Sequence, residues 1–245
     1  MNYESALQRA VLVRRYKRFL ADVTLPDGTT LTMHCPNTGS MLGCADPGSV
    51  IMYSRSNNPK RKYAHTFEQV ISDDVRVGVH TGRANALVAE AIDSGVLREL
   101  AGYTQVQREV TVEKGSRLDF VLTACDRPRC CVEVKNVSAA VDNGVAFFPD
   151  AVSERARKHL EVLMRRVDEG ERAVLVFCVQ RDDVVSVRPA DDIDPQYGRT
   201  LRRAIDHGVE VCAWAARLSD TAVELYRQVP VLTPPLAQEV AANVG

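Results

Sequence analysis

The chain has 245 residues, 45% hydrophobic and 26% charged, with a formal net charge of −1. These are globular values, which argue against disorder or a fibrous repeat, and the length suits two small domains or one large one. No apolar run approaches the ~20 residues of a membrane span, and Arg14, Arg15, Lys17 and Arg18 interrupt the only apolar stretch near the N-terminus, so neither a membrane segment nor a signal peptide is expected. Seven cysteines without a C-x-x-C pair suit reduced thiols and a cytoplasmic protein better than a disulfide framework. Cys130 and Cys131 sit in an apolar run, as buried strand thiols do.

The first third reads as strands. Residues 10–25 are a long β-compatible stretch ending in the turn signal Pro26-Asp27-Gly28. Further strands are expected over 29–34, 50–53, 65–71 and 75–80, the last two joined across Asp73-Asp74. Five short strands without a helix predict a small closed barrel, with the five-stranded OB-like β-barrel as the leading candidate. At residues 84–92 the apolar period becomes helical, and Gly95 ends the run, so a domain boundary is expected near 81–83: one domain over 1–82, a second over 83–245. Strands then follow over 105–112, 117–124 and 131–137, a helix over 149–167 with Asp150 as a candidate cap, and a fully apolar strand over 173–179. A helix over 195–206 and strands over 209–215 and 222–229 complete the order, and 233–245 is expected to be loose. This order predicts a C-terminal three-layer α/β domain, and an α+β two-domain protein overall.

The chemistry concentrates in the second domain. Glu133 and Lys135 alternate with Val132 and Val134, and Asp119 lies between Leu118 and Phe120, so all three polar groups interrupt apolar strands. Burying such charges is costly unless they pair or bind a cation. An internal salt bridge is the plain alternative to a Mg²⁺ or Mn²⁺ site. The spacing, Asp followed after thirteen residues by Glu-x-Lys, resembles the PD-(D/E)XK nuclease superfamily. That resemblance implies that Asp119 and Glu133 hold the metal with the Val134 carbonyl, that Lys135 positions the attacking water, and that Glu90 is a candidate additional ligand. Leu118, where the motif name has Pro, is a departure at a variable position.

The residues 7–20 (LQRAVLVRRYKRFL), 34–39 (HCPNTG), 60–65 (KRKYAH), 133–137 and 148–160 (FPDAVSERARKHL) resemble the sugar fermentation stimulation protein A family along both proposed domains. The resemblance implies an OB-like domain joined to a nuclease-like domain, DNA binding without sequence preference, and a link to regulation of sugar (maltose) metabolism. It supports binding more firmly than cleavage.

Residues 1–83 hold 11 Lys/Arg against 7 Asp/Glu, an excess that suits a polyanion partner and equally suits ordinary scatter. Arg14, Arg15, Lys17 and Arg18, beside Tyr16 and Phe19, and the run Lys60, Arg61 and Lys62 are candidate nucleic-acid contacts, with a solvated strand face or loop tip as the alternative. Arg155 and Lys158, on the helix after the Lys135 strand, are further candidates. His34, Cys35 and Cys44 fit no common zinc spacing. No organic cofactor is expected. Three functions remain open: a metal-dependent nuclease, a DNA-binding regulator with an inactive nuclease-like domain, and a carbohydrate-binding regulator. The last is weakest, because the one tryptophan, Trp214, lies outside the barrel. DNA versus RNA is not fixed by the sequence, protein partners are unknown, and a homo-oligomer is compatible with it.

Overall fold

The computed structural model describes residues 1–113, 115–139 and 144–234. The first six strands are β1 (Gln8–Tyr16), β2 (Leu20–Thr24), β3 (Thr30–His34), β4 (Val50–Arg55), β5 (His65–Ser72) and β6 (Val75–Gly78). Pairing runs β3-β2-β1-β4-β5, and a parallel contact between β3 and β5 at His34 and Thr66 closes the ring. A closed barrel of five strands results, as expected, but its membership differs from the sequence reading. The stretch 10–25 is a hairpin, because Lys17 and Arg18 take left-handed backbone (φ 48° and 64°) and Tyr16 pairs with Leu20. Neither residue is the Asn or Gly that usually announces such a turn. β6 extends the sheet from β5, outside the closed ring, and Val77 also makes an isolated antiparallel bridge to Arg181. The Asp27-Gly28 and Asp73-Asp74 turns do form: Gly28 has φ 85°, Asp73 and Asp74 have φ 48° and 62°, and the Asp27 carboxylate accepts from the Thr29 amide. Leu12, Val23, Met33, Ile51, Phe67 and Val70 fill the barrel with almost no exposure.

The second unit contains α1 (Arg83–Asp93), β7 (Gln105–Glu113), β8 (Ser116–Ala124), β9 (Arg127–Val137), β10 (Val145–Phe148), α2 (Glu154–Asp168), β11 (Arg172–Val179), β12 (Ser186–Pro189), α3 (Pro195–Asp206), β13 (Glu210–Leu218) and β14 (Val223–Val229). Its main sheet has the order β14-β13-β11-β9-β8-β7, with β11 parallel to both β9 and β13. β11 sits between layers, which explains its uninterrupted apolar run. One core packs α1 on Phe120, Val132, Val134 and Val176; the other packs α2 and α3 on Val121, Cys131, Leu175 and Phe177. These are the three layers the element order predicts.

Two short strands were not legible. β10 and β12 form a separate parallel pair, and β10 occupies residues expected to lead into the helix. α2 therefore starts at Glu154, capped by Ser153, whose Oγ accepts from the Ala156 amide at 3.2 Å. Asp150 does not cap it. Its carboxylate accepts from Ser40 Oγ (2.9 Å) and the Met41 amide (3.1 Å), so it ties α2's approach loop to the barrel unit. Asp194 accepts from the Ser153 and Tyr197 amides, both at 2.9 Å, and so fixes the starts of α2 and α3 together.

The two units are closely joined. The Gly78 amide donates to Gln180 O at 2.8 Å, and a Cβ at residue 78 would meet Gln180 Oε1 at 2.5 Å. Cys44 Sγ donates to Ser138 O, and Arg76 pairs with Asp220 at 2.6 Å. Residues 1–7 lie outside the barrel: the Tyr3 and Leu7 amides bond Thr221 O and Asp220 O, and Met1 and Tyr3 pack on the α1 core. All seven cysteines are free, six of them buried. Among the described residues no helix is long and apolar enough to cross a membrane.

Candidate metal centre and nucleic-acid interface

Strand alternation on β9 sends Val132 and Val134 into the α1 core and Cys131 and Val137 into the α2–α3 core. Glu133 and Lys135 share the second face, so Glu133 lies beneath α2 and is only 2% exposed. β8 and β9 pair up to Phe120 opposite Val132 and then part. Asp119 sits at that parting. Its Oδ2 accepts from the Val134 amide at 2.7 Å, replacing the missing strand partner, and its Oδ1 accepts from Asn85 on α1 at 2.7 Å. Asp119 is thus bonded to the peptide that adjoins Glu133.

Two neighbouring groups hold one oxygen of Glu133. Lys135 Nζ donates to its Oε1 at 2.5 Å, and His159 on α2 meets the same oxygen through Nδ1. Arg155 Nε donates to His159 Nε2 at 3.3 Å, which assigns the ring proton to Nδ1, facing Glu133. The other oxygen, Glu133 Oε2, is buried and has no hydrogen-bond partner. Burial pushes the Glu133 carboxyl up, but the His159 and Lys135 contacts outweigh it and hold the group below the usual carboxylate range. Asp119 shifts the opposite way: burial first, then the negative charge of Glu133, raise it despite the Val134 and Asn85 hydrogen bonds.

An orphaned anionic oxygen, with a second buried carboxylate that feels its charge, is what a hard divalent cation would satisfy. Asp119, Glu133 and the backbone around Val134 therefore fit a metal, with water completing the shell. Among the described residues no three His, Cys, Asp or Glu side chains form a ready metal cluster, so a two-carboxylate site is the limit of what these side chains supply.

Glu90 does not join them. Asn85 marks the side of α1 that faces Asp119, and five residues further along the helix is about 140° around it. Glu90 instead accepts from the Met1 ammonium at 2.6 Å. The acidic residue brought toward Asp119 is Glu109 on β7. Its Oε1 shares the Asn85 amide at 3.3 Å, and its backbone is left-handed, φ 55°. It is ion-paired with Arg117 at 2.8 Å and half exposed. Asn85, Glu109 and His159 were missing from the sequence reading. His159 had a faint signal, one turn beyond Arg155 on the same face; the other two depend on how α1 and β7 pack.

The basic candidates divide. Arg15 is engaged structurally: its Nη2 donates to the carbonyls of Arg18, Asn37 and Gly39 at 2.6–2.9 Å, clamping the 37–39 loop to the barrel. Arg14 pairs with Asp22 at 2.8 Å and stacks over Tyr16. Lys17 and Arg18 are exposed at the hairpin tip beside Phe19. Lys60, Arg61 and Lys62 are all exposed on the β4–β5 loop, and Arg61 also donates to Thr66 Oγ1 at 2.9 Å. Arg155 reaches the candidate metal centre through His159, and Lys158 pairs with Glu154 on the exposed side of α2. Cys35 and Cys44 are buried structural thiols, and burial pushes Cys44 up to about 12.

Comparison with known proteins places this geometry in a family. The model of the sugar fermentation stimulation protein RE domain matches residues 82–222, and that of the SfsA N-terminal OB domain matches residues 13–79. A sugar fermentation stimulation protein homolog of Thioalkalivibrio sulfidiphilus is 56% identical over 232 residues, covering 94% of this chain and 98% of the relative. The Alkalilimnicola ehrlichii homolog is 53% identical over 238 residues, covering 96% and 100%. The structure of Pyrococcus furiosus SfsA in complex with Ca²⁺ superposes with a TM-score of 0.85 at 24% identity, covering 95% of this chain and 98% of that one, so the fold is shared throughout. The chain belongs to the sugar fermentation stimulation protein family.

Proposed function

We propose that this protein binds DNA without sequence preference and cleaves its phosphodiester backbone with a divalent cation, Mg²⁺ or Mn²⁺, held by Asp119, Glu133 and the Val134 carbonyl. The observation that carries the reading is the buried, unpartnered Glu133 Oε2, together with Asp119, whose carboxyl feels the Glu133 charge. The Ca²⁺ in the Pyrococcus furiosus relative supports divalent-cation binding by the shared fold. When bound, the cation supplies Lewis acidity toward the scissile phosphate and an acidified water. Asp119 and Glu133 provide the negative charge that retains it. Lys135 Nζ, 2.5 Å from Glu133, orients the attacking water and stabilises charge on the phosphate. His159 meets the same Glu133 oxygen as Lys135, which leaves Oε2 without a protein partner.

The exposed cations Lys17, Arg18, Lys60 and Lys62 on the barrel, with Arg155 and Lys158 on α2, would track the phosphate chain. Cytoplasmic location and a role in regulating sugar metabolism belong to the same proposal. One observation favours the non-catalytic alternative: Lys135 is already ion-paired with Glu133, and His159 Nδ1 meets the same carboxylate oxygen. A single experiment separates the two. Purified protein is incubated with labelled single- and double-stranded DNA and RNA, with Mg²⁺, Mn²⁺ or EDTA. Cleavage that needs the cation and is lost in Glu133→Gln and Lys135→Ala supports the nuclease; binding without cleavage under every condition supports the regulator.

A further inference from the structure

A polar cavity of about 390 Å³ opens between the barrel, the N-terminal segment and the start of α1. That volume is within the range of small-molecule sites. Its floor is the buried Glu68, whose two oxygens are fully used: Arg83 donates to both at 2.6 Å, and Ser54 Oγ adds a third bond at 2.6 Å. The floor is thereby neutral. Above it stand His34, His80, Arg55 and Arg61. His80 Nδ1 is buried without a partner. Among the described residues, Arg55 has no ion pair, and Arg61 spends one nitrogen on a neutral threonine hydroxyl. Glu4 is the only other acidic residue on the lining.

We propose that this cavity is a binding site for a phosphomonoester dianion, with Arg61, Arg55, His34 and His80 as its donors.

Four groups that donate hydrogen bonds or carry positive charge converge there, and only Glu4 opposes them. A guanidinium fork matches phosphate oxygens, and imidazole N–H groups on the lining add donors. Burial is the largest influence on both histidines and disfavours their protonation; Arg61 adds to it at His34, while at His80, held near 4, the Glu68 charge opposes it more strongly than either Arg83 or His34 reinforces it. A bound dianion reverses that disadvantage. A recessed cavity also favours a terminal phosphate over an internal diester, because a continuous backbone cannot turn into it. The phosphate could be carried by a free small metabolite or by the 5′ end of a nucleic acid, and the test distinguishes them.

Isothermal titration of the full chain uses inorganic phosphate, a nucleoside 5′-monophosphate, its parent nucleoside, and a short oligonucleotide with a 5′-phosphate or a 5′-hydroxyl. The monophosphate is expected to bind with Kd of about 1 mM or tighter, and the nucleoside at least tenfold more weakly. Equal binding of the two oligonucleotides assigns the site to free phosphomonoesters; preference for the 5′-phosphorylated one assigns it to nucleic-acid ends. Arg55→Gln combined with Arg61→Gln is expected to weaken the monophosphate at least tenfold while leaving the unliganded melting temperature near wild type. Absence of saturable binding by phosphate and monophosphate, equal binding of nucleoside and monophosphate, or unchanged affinity in the double variant overturns the proposal. The 5′-hydroxyl oligonucleotide separates this outcome from general DNA binding, which does not need a terminal phosphate.

Discussion

Glu133→Gln tests the candidate metal centre without requiring turnover. In the wild type, Glu133 is 2% exposed, Lys135 lies 2.5 Å away, and Oε2 has no protein partner. A cation bound only by the folded state stabilises it by RT ln(1 + [L]/Kd), about 2.7 kcal/mol at a hundredfold excess over Kd. For a chain of this size that is a rise in Tm of about 5–10 °C. Glutamine keeps the shape and still accepts from Lys135 and His159, but it supplies no charge to the cation. The variant should start about 2 kcal/mol less stable, below the 3–5 kcal/mol of a fully broken buried pair because those hydrogen bonds persist. Its cation-induced rise should then shrink to a small fraction of the wild-type value. Thermal unfolding with Ca²⁺, Mn²⁺ or Mg²⁺ against EDTA reads both quantities. A wild type with no cation-dependent rise, or a variant with the full rise, would refute the assignment of Glu133 as a ligand.

Glu90→Gln, by contrast, should leave the cation-induced rise intact, because Glu90 holds the N-terminal ammonium; the same melting assay checks it. Gly78→Ala should cost about 2 kcal/mol by urea unfolding, since its Cβ would lie 2.5 Å from Gln180 Oε1; adding Gln180→Ala should restore part of the loss. His80 is held near 4 by burial, below its unfolded value of about 6.5, so the unfolded chain takes up the proton first as pH falls. Its contribution is complete above about pH 6.5 and declines toward pH 4, which predicts a loss of about 2 kcal/mol between pH 7 and pH 5. His80→Asn should remove that part of the pH dependence in urea titrations, and an unchanged pH slope would contradict it. DNA affinity should fall steeply with salt, and Lys60→Ala with Lys62→Ala should weaken all sequences alike in fluorescence anisotropy; salt-independent affinity would exclude phosphate tracking.

The sequence by itself determined the two folding patterns and the polar interruptions in strands β8 and β9. Period-two runs broken by Asp27-Gly28 and Asp73-Asp74 specify hairpins, and the apolar run of β11 specifies a strand covered on both faces, because these signals are local. The same locality put Glu133 and Lys135 on one face of β9. Signals without a local marker were not legible: the left-handed turn at Lys17 and Arg18, and the short pair β10 and β12, whose partners are forty residues apart. Only the tertiary structure decided which groups meet Asp119 and Glu133. His159 arrives from α2 and Asn85 from α1, and Glu109 comes from the neighbouring strand, while Glu90 is carried away by the turn of its helix. Spacing fixes a side chain's face, whereas its partner depends on how three layers pack, and that packing is a property of the whole core rather than of any one segment.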